Sequence, residues 1–394
     1  MPRAPLVCLD LWCKAGSYWE CQGEEGLAHF LEHMVFKGSN GLATGQFDRR
    51  IEALGGSSNA ATGFDDVHFH VTVPPEACVE ALELLLDLVL DPALQAEAFA
   101  MEREVVLEEI AQYRDQPEEN VIQKLLKGCC LRHPYGRPIL GFKNSLRTCT
   151  PEGMADFHQR RYRGSDCCFS AAGSLPSNFA SRLQSSRLAA LQPVHATTTE
   201  EPGMLPFQIG RQDVRIRRLR SARLFMAWSQ PPALAQQELV GADLATTLLA
   251  EGRRSRLVQR LREELQIVES IDMDLTTLEQ GSLVVLEACC RAEDIERVEQ
   301  EVRTELIRAI EMPITASELR RAKRLVRNSL CFSLEAPAQV AGAAGTAALW
   351  GRKHPLLAPL DWIGEWSAER LQTQLMPQLD PVMSHTLTAL PVDV

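Results

Sequence analysis

Residues 26–38 read GLAHFLEHMVFKG, a run in which apolar residues recur at helical spacing and a Lys-Gly pair ends the helix. Within this run His29 and His33 are four residues apart, so a helix places both imidazoles on one face. Glu32 comes three residues after His29, and its carboxylate reaches the same face without having to be a ligand. The stretch therefore predicts a short helix that can offer two imidazoles to one metal ion.

Two histidines and a glutamate in this order suit a zinc site that hydrolyses amides. Neutral imidazole binds zinc at short distance, and a catalytic zinc site keeps one coordination position for water. Zinc lowers the pKa of that water, and a nearby carboxylate such as that of Glu32 can accept its proton. The alternative is a helix with two chance histidines, because so short a motif is suggestive rather than sufficient.

A tetrahedral site needs a third protein ligand, and a second helical stretch offers a candidate. Glu102 and Glu109 are about two helical turns apart, so they share a face. Apolar residues lie between them, and two carboxylates on a largely buried helix are costly unless they meet cations. Glu109 as a ligand, with Glu102 supporting the ligands, would remove that cost. The alternative is two solvated glutamates in a segment that also contains Glu104 and Glu108.

These stretches together resemble the signature of the pitrilysin/insulinase family, and more narrowly its branch of mitochondrial processing peptidase and bacterial relatives. Glu109 follows His33 by 76 residues, where that branch has its third ligand, and Glu102 matches the additional acidic residue of the family. Three further blocks are similar to the family, namely GGSSNAAT at 55–62, EREVVLEEI at 102–110 and HPYG at 133–136. The resemblance covers nearly the whole chain.

The resemblance implies an activity and the residues that carry it. It implies a zinc-dependent endopeptidase with one Zn²⁺ per chain, acting on short or unfolded peptides in a closed chamber. Substrates of this family bind as an added strand on a sheet edge, through backbone hydrogen bonds. The implied residues are His29, His33 and Glu109 as metal ligands, Glu32 and Glu102 as catalytic residues, and Asn59 and Ala60 as the substrate-binding edge.

The same resemblance implies a partner subunit, because such chains usually pair so that four domains enclose the chamber. The C-terminal half often supplies an Arg and, seven residues later, a Tyr that stabilise the reacting carbonyl. Arg262 matches the first position as a catalytic residue, with a plain surface charge as the alternative, whereas Glu269 occupies the second. An ionised carboxylate cannot donate a hydrogen bond to an oxyanion. We therefore expect a heterodimer with a homologue that lacks zinc, with a homodimer as the alternative.

Periodicity predicts an α+β chain of two homologous domains, each an antiparallel-rich sheet with helices packed on one face. The polar segment 195–206 is the predicted linker between an N-terminal zinc-binding peptidase domain, 1–194, and a C-terminal domain without metal, 207–394. The order of elements repeats on both sides of it. Relatives usually begin with a further strand before Leu6, so we expect a late start or a missing edge strand. Predicted strands include 67–73, 222–228 and 282–288, and predicted helices include 76–90, 94–113, 295–311 and 317–332.

Composition excludes several classes of protein. The formal net charge of −11 disfavours nucleic acid as a partner, because phosphates need a basic surface. No apolar run approaches the roughly 20 residues of a membrane helix. The N-terminus has no apolar segment followed by a cleavage site, so we expect no secretion, no membrane partner and a cytoplasmic location. The 12 cysteines include adjacent pairs and no CxxC, and we expect them to be reduced.

Two other classes of function stay open. One is a noncatalytic scaffold or assembly subunit, although such relatives typically lose part of HxxEH or the distal glutamate, and this chain keeps both. The other is a peptide-binding half-enzyme that retains zinc and requires a partner chain, which the glutamate at position 269 keeps open. His68 and His70 alternate on a predicted strand and could form a second metal site, although a packed strand face explains them better.

Overall fold

The computed structural model describes residues 4–191 and 205–392, so residues 195–204 of the predicted linker lie outside the described residues. The strands are β1 Val7–Cys13, β2 Ser57–Thr62, β3 Val67–Val73, β4 Cys167–Gly173, β5 Gly210–Ile216, β6 Ala222–Gln230, β7 Ser270–Thr276, β8 Ser282–Cys290 and β9 His385–Pro391. The helices are α1 Leu27–Val35, α2 Gln46–Ala53, α3 Cys78–Leu90, α4 Ala96–Asp115, α5 Pro117–Cys130, α6 Lys143–Thr148, α7 Pro151–Arg161, α8 Phe179–Gln184, α9 Gln236–Ala250, α10 Ile295–Glu311, α11 Ala316–Phe332, α12 Pro337–Leu349, α13 Ala358–Glu365 and α14 Ala368–Arg370. None of the helices in the described ranges combines the length and the apolar composition that crossing a bilayer requires.

The two sheets share one strand order, which confirms the predicted repeat of an α+β unit. The first sheet has the order β2-β3-β1-β4, and every neighbouring pair in it is antiparallel. The second sheet repeats this order as β7-β8-β6-β9, and β5 is added beside β9 as a parallel strand. Strand β2 therefore forms an edge of the first sheet, with β3 as its neighbour.

The chain forms two compact units, and neither is one continuous stretch of sequence. The first contains the described residues of Met1–Gln112, Arg137–Glu200 and Ser333–Lys353, and the second those of Tyr113–Gly136, Glu201–Phe332 and His354–Val394. This division differs from the predicted domains 1–194 and 207–394. Helix α5 packs on β5 and β9 in the second unit, and α12 packs on β1 and β4 in the first. Periodicity identifies the apolar face of a helix but cannot say which sheet that face covers.

Local sequence accounts for most of the element bounds. Strand β3 alternates between buried and half-buried residues, so its odd-numbered side chains, such as Phe69, enter the core and its even-numbered ones lie on the opposite face. The predicted strand 67–73 and the predicted helix 295–311 have the observed bounds. Helix α4 starts later than predicted, at Ala96, because Leu94 has a φ of 43°, which a right-handed helix does not allow.

Helix α12 approaches the first sheet closely because its facing residues are small. A Cβ added at Gly345 would lie 2.3 Å from Cδ1 of Trp12 and 2.9 Å from Oγ of Ser170. The Ser170 hydroxyl also donates a hydrogen bond to the backbone carbonyl oxygen of Ala341, at 2.8 Å. A Cβ at Gly342, in contrast, would meet its nearest neighbours at 3.9 Å.

Replacing Gly345 by Ala should destabilise the first unit. The added methyl group meets the buried Trp12 indole, which is stacked on His68, and such overpacking typically costs about 1–3 kcal/mol. Gly342→Ala in the same helix is the matched control, and we expect it to be neutral or to stabilise by up to about 1 kcal/mol through helix propensity. Urea unfolding of the two variants measures the difference, and equal free energies of unfolding would contradict the close packing.

Candidate metal centre

Helix α1 contains the HxxEH stretch, and a glycine and a buried glutamate position its N-terminus. Gly26 precedes the helix with a φ of 97°, and a Cβ there would lie 2.5 Å from the carbonyl oxygen of Leu140. Oε1 of the buried Glu20 carboxyl group accepts hydrogen bonds from the backbone N–H groups of Gly26 and Ala28, at 3.0 and 2.9 Å. These contacts satisfy donors that the first turn of a helix leaves free. They position the first turn of α1, which contains His29.

Burial raises the pKa of Glu20 to about 8, compared with 4.5 for an ordinary glutamate. The folded state then binds the carboxyl proton of Glu20 more tightly than the unfolded chain does. The free energy of unfolding should therefore fall as pH rises from 4.5 to about 8. Glu20→Gln keeps the accepting oxygen but cannot ionise, so we expect a smaller fall. Urea unfolding of both proteins at the two ends of the window tests this. Equal pH slopes would mean that Glu20 does not hold a proton in the folded state.

Three side chains of metal-ligand type meet where α1 faces α4. Nε2 of His29 lies 3.7 Å, and Nε2 of His33 lies 3.4 Å, from Oε2 of Glu109. One potential ligand atom from each of the three residues lies within 4.8 Å of the other two. His29 is 9% exposed, whereas the Glu109 side chain is 42% exposed. The group is therefore anchored in the protein through His29 and accessible to solvent on the side of Glu109.

The protonation of these side chains fits a zinc ion. Burial, with a smaller contribution from the charge of His33, lowers the pKa of His29 to about 4. His29 is therefore neutral at neutral pH, which is the form in which imidazole binds a metal. Two imidazoles and one glutamate carboxylate are a donor set that catalytic zinc sites use, with a further position left for water. The residues present thus match the group that the sequence predicted.

Glu102 orients His33 from the side away from Glu109. Oε1 of Glu102 accepts a hydrogen bond from Nδ1 of His33 at 2.9 Å, and its Oε2 lies 2.6 Å from Nζ of Lys37. Burial alone would raise the pKa of Glu102, but the hydrogen bonds from Lys37 and His33 outweigh it and lower the pKa. An ionised Glu102 keeps the proton of His33 on Nδ1 and leaves Nε2 free to be a ligand. Lys37 was not among the predicted site residues, although it lies one helical turn after His33, which was a usable signal.

Glu32 belongs to the same site, since the charges of His33 and Glu109 both act on it. The hydroxyl of Thr62, the last residue of β2, donates a short hydrogen bond to Oε2 of Glu32. Burial raises the pKa of Glu32 despite this hydrogen bond, which acts in the opposite direction. A carboxylate with a raised pKa is a better proton acceptor near neutral pH. Thr62 is the second site residue that was not predicted from the sequence, although it ends the block 55–62.

Strand β2, which contains Asn59 and Ala60, is an edge strand beside α1. Asn59 is exposed and Ala60 is half-buried. The backbone N–H of Ala60 donates to Oδ1 of the Asn59 side chain at 2.9 Å. Within the described residues, β3 is the one strand paired with β2, so the other edge of β2 is available to an extended peptide.

Arg262 and Glu269 lie in the second unit, outside the group that the first unit brings together. Arg262 is exposed in the π-type segment Val258–Glu264, and its charge opposes the rise in pKa that burial causes in Asp272. The carboxylate of Glu269 accepts hydrogen bonds from the hydroxyl of Ser221, at 3.3 Å, and from the thiol of Cys289, at 3.4 Å. A catalytic role for Arg262 stays a prediction.

A repeated α+β unit with an HxxEH helix and a distal glutamate defines the inverted-motif class of zinc-peptidase folds. A sequence model of the insulinase family, peptidase family M16, matches residues 2–143, and a model of the peptidase M16 inactive domain matches residues 148–326. The chain belongs to peptidase family M16, which confirms the resemblance seen in the sequence. The candidate metal centre lies within the first match, and Arg262 and Glu269 lie within the second.

Relatives of this chain carry the names of proteases. It is 28% identical to a Rickettsia felis protein named "Uncharacterized zinc protease", over 85% of this chain and 80% of that protein. It is 24% identical to a Bacillus subtilis protein named "Uncharacterized zinc protease YmxG", over 94% of this chain and 89% of that protein. It is also 24% identical to a probable beta subunit of the mitochondrial-processing peptidase of Arabidopsis thaliana, over 97% of this chain and 74% of that protein.

Solved structures share the fold over nearly the whole chain. A protease from Helicobacter pylori has a TM-score of 0.87 and 21% identity, covering 98% of this chain and 95% of that one. A peptidase M16 inactive domain from Pseudomonas fluorescens has a TM-score of 0.88 and 19% identity, covering 100% and 94%. At such identities the similarity concerns the fold alone.

Proposed function

We propose that this chain is a zinc-dependent endopeptidase that hydrolyses peptide bonds of short or unfolded peptides, with one Zn²⁺ at the metal centre of the first unit. The observation that carries the proposal is the meeting of two imidazoles and a carboxylate within 4.8 Å, with the carboxylate of Glu32 beside them. The zinc proteases among its relatives support the same activity.

The role proposed for each side chain follows from its contacts. The three ligands would hold the zinc ion, which polarises a peptide carbonyl and lowers the pKa of water when bound. Glu32 accepts a proton from the attacking water and passes it to the leaving amine nitrogen, which its raised pKa favours. Thr62 holds the Glu32 carboxylate in place by its hydrogen bond. Glu102 keeps the His33 ring in the orientation that a ligand needs.

The open edge of β2 supports an extended peptide as the substrate. A peptide added there would pair with the backbone of the strand that ends at Thr62, and would therefore pass Glu32. The backbone N–H of Ala60 would exchange its bond to the Asn59 side chain for a bond to the substrate. Folded proteins cannot offer an unpaired strand of this kind, so we propose unfolded segments and short peptides, held in a closed chamber formed with homologous units.

We further propose a homologous partner subunit, with a heterodimer favoured over a homodimer. The carboxylate of Glu269 is an acceptor of two hydrogen bonds and cannot stabilise an oxyanion when ionised. A partner chain without zinc would supply the donors that stabilise the reacting carbonyl. In that arrangement this chain is a half-enzyme, which binds zinc and peptide alone but turns over slowly without its partner.

Zinc content and cleavage of a quenched fluorescent peptide library test the proposal. We expect zinc in the purified chain, hydrolysis that stops when a chelator removes it, and recovery when Zn²⁺ is added back. Zinc with hydrolysis only after a candidate partner is added would support the half-enzyme form. A chain that binds no zinc and hydrolyses nothing in either state would refute both forms.

A further inference from the structure

A second group of ligand-type side chains lies on the first sheet, on the face opposite the core. Asp10 is on β1, and His68 and His70 are on β3, where Asp10 is the register partner of His70. One potential ligand atom from each of the three residues lies within 4.8 Å of the other two. None of them belongs to the metal centre described above, so the proposed peptidase activity makes no use of this group.

The rings in this group are held in parallel. His68 stacks on Trp12, with ring centroids 4.1 Å apart and 12° between the planes. His70 lies beside His68, at 5.4 Å and 16°. Nδ1 of His68 lies 3.1 Å from Oδ1 of Asp10, so a single proton joins the two groups. A metal ion that replaced this proton would keep both side chains as ligands.

Hydrogen bonds offset the burial of this group only in part. Asp10 is 2% exposed, and its carboxylate receives a hydrogen bond from His68. Nδ1 of His70 is buried and has no hydrogen-bond partner among the described residues. Buried polar groups without partners are costly, and a cation bound to Nδ1 of His70 would remove that cost. Burial also lowers the pKa of His70 in spite of the charge of Asp10, which favours the neutral imidazole that a metal requires.

Helix α12 shelters one side of the group and leaves the other accessible. It packs on β1 and β4, and a Cβ added at its Gly342 would lie 3.9 Å from Oδ2 of Asp10. His68 and His70 on β3 are half-buried, so an ion can enter from their side. Two imidazoles and one carboxylate suit a first-row transition ion such as zinc, whereas magnesium and calcium prefer oxygen ligands alone.

We propose that Asp10, His68 and His70 form a second binding site for a divalent transition-metal ion, with zinc as the first candidate. The ion links β1 to β3, and β3 is the strand on which the edge strand β2 is paired. The chain would then carry two zinc ions, one at each centre. The inference rests on this group alone and would stand even if the proposed peptidase activity failed.

The test counts zinc in a chain that lacks the first centre. The background variant His29→Gln/Glu109→Gln, purified without a histidine tag and equilibrated with Zn²⁺, should retain one zinc per chain by elemental mass spectrometry. Adding His70→Gln should remove that ion, because it deletes one of the three ligands. Nδ1 of His70 makes no hydrogen bond within the described residues, so the substitution breaks none there. Adding His354→Gln, at an exposed histidine of the second unit, should leave it bound.

Cobalt in place of zinc gives a second readout, because its visible absorption reports bound nitrogen and oxygen ligands. The background variant should show this absorption, and the His70→Gln addition should abolish it. No bound metal in a folded background variant, or metal that survives His70→Gln, would overturn the proposal. If the background variant does not fold, His70→Gln and Asp10→Asn in the otherwise native chain should each lose one of two zinc ions. An unchanged zinc count in both would equally overturn it.

Discussion

Replacing Glu32 by Gln should abolish measurable peptide hydrolysis while leaving zinc bound. The amide cannot accept the proton of the attacking water, and loss of such a group typically lowers kcat by about 10²–10⁴-fold. The amide still fits between Thr62 and the ligands, and Glu32 is not among the three side chains that would hold the metal. Zinc content, folding and turnover of a quenched peptide should be measured on the same preparation.

The control for this variant is Glu104→Gln, which makes the same change of charge on α4 at a side chain that is 72% exposed. It should hydrolyse peptides at the rate of the unaltered chain. Full activity in Glu32→Gln would show that Glu32 is not the proton acceptor in hydrolysis. Loss of zinc together with activity would show that Glu32 contributes to metal binding rather than to proton transfer.

Glu109→Gln should lower the bound zinc by one ion per chain and remove hydrolysis with it. A neutral amide oxygen is a much weaker zinc ligand than a carboxylate, and the two imidazoles alone leave the ion held by two protein atoms. Elemental mass spectrometry gives the zinc count, and titration against a chelator of known affinity gives the loss of affinity. The neighbouring Glu108→Gln, at an exposed position of the same helix, is the matched control and should retain the ion.

Lys37→Met separates ligation from orientation at the same centre. The Lys37 ammonium holds the Glu102 carboxylate, which in turn holds His33, so its loss should weaken zinc binding by about 10–100-fold rather than abolish it. The same chelator titration measures this smaller step. Loss of zinc as complete as that in Glu109→Gln would mean that Lys37 supports the fold of the site and does not merely orient a ligand.

The two units share a strand order, but the candidate metal centre found among the described residues lies in the first unit alone. Helix α9 follows β6 in the second unit as α1 follows β1 in the first, yet its sequence has no histidine. Both groups of three ligand-type side chains found among the described residues belong to the first unit. A repeated fold therefore supplies two similar sheets, while the chemistry depends on the few side chains that one copy carries.

Local spacing in the sequence predicts several elements and the candidate ligands that lie on them. His29 and His33 share a face because a helix turns every 3.6 residues, and Glu102 and Glu109 do so for the same reason. The alternation of residues 67–73 likewise predicts that His68 and His70 share one face of a strand. Resemblance to a family added the distance from His33 to Glu109 and the edge strand with Asn59 and Ala60.

Tertiary packing sets which elements meet, and this could not be read from local sequence. Packing places Thr62 beside Glu32, Lys37 beside Glu102, and Asp10 beside His68. It also places α5, from the N-terminal half of the sequence, on the second sheet and α12, from the C-terminal half, on the first sheet. Each of these contacts joins residues that are distant in sequence or on different elements. Hydrophobic patterning predicts which face of an element is buried but not which element covers it, because the burial of apolar surface is non-directional. The partners of a side chain are therefore set by packing, which no local period encodes.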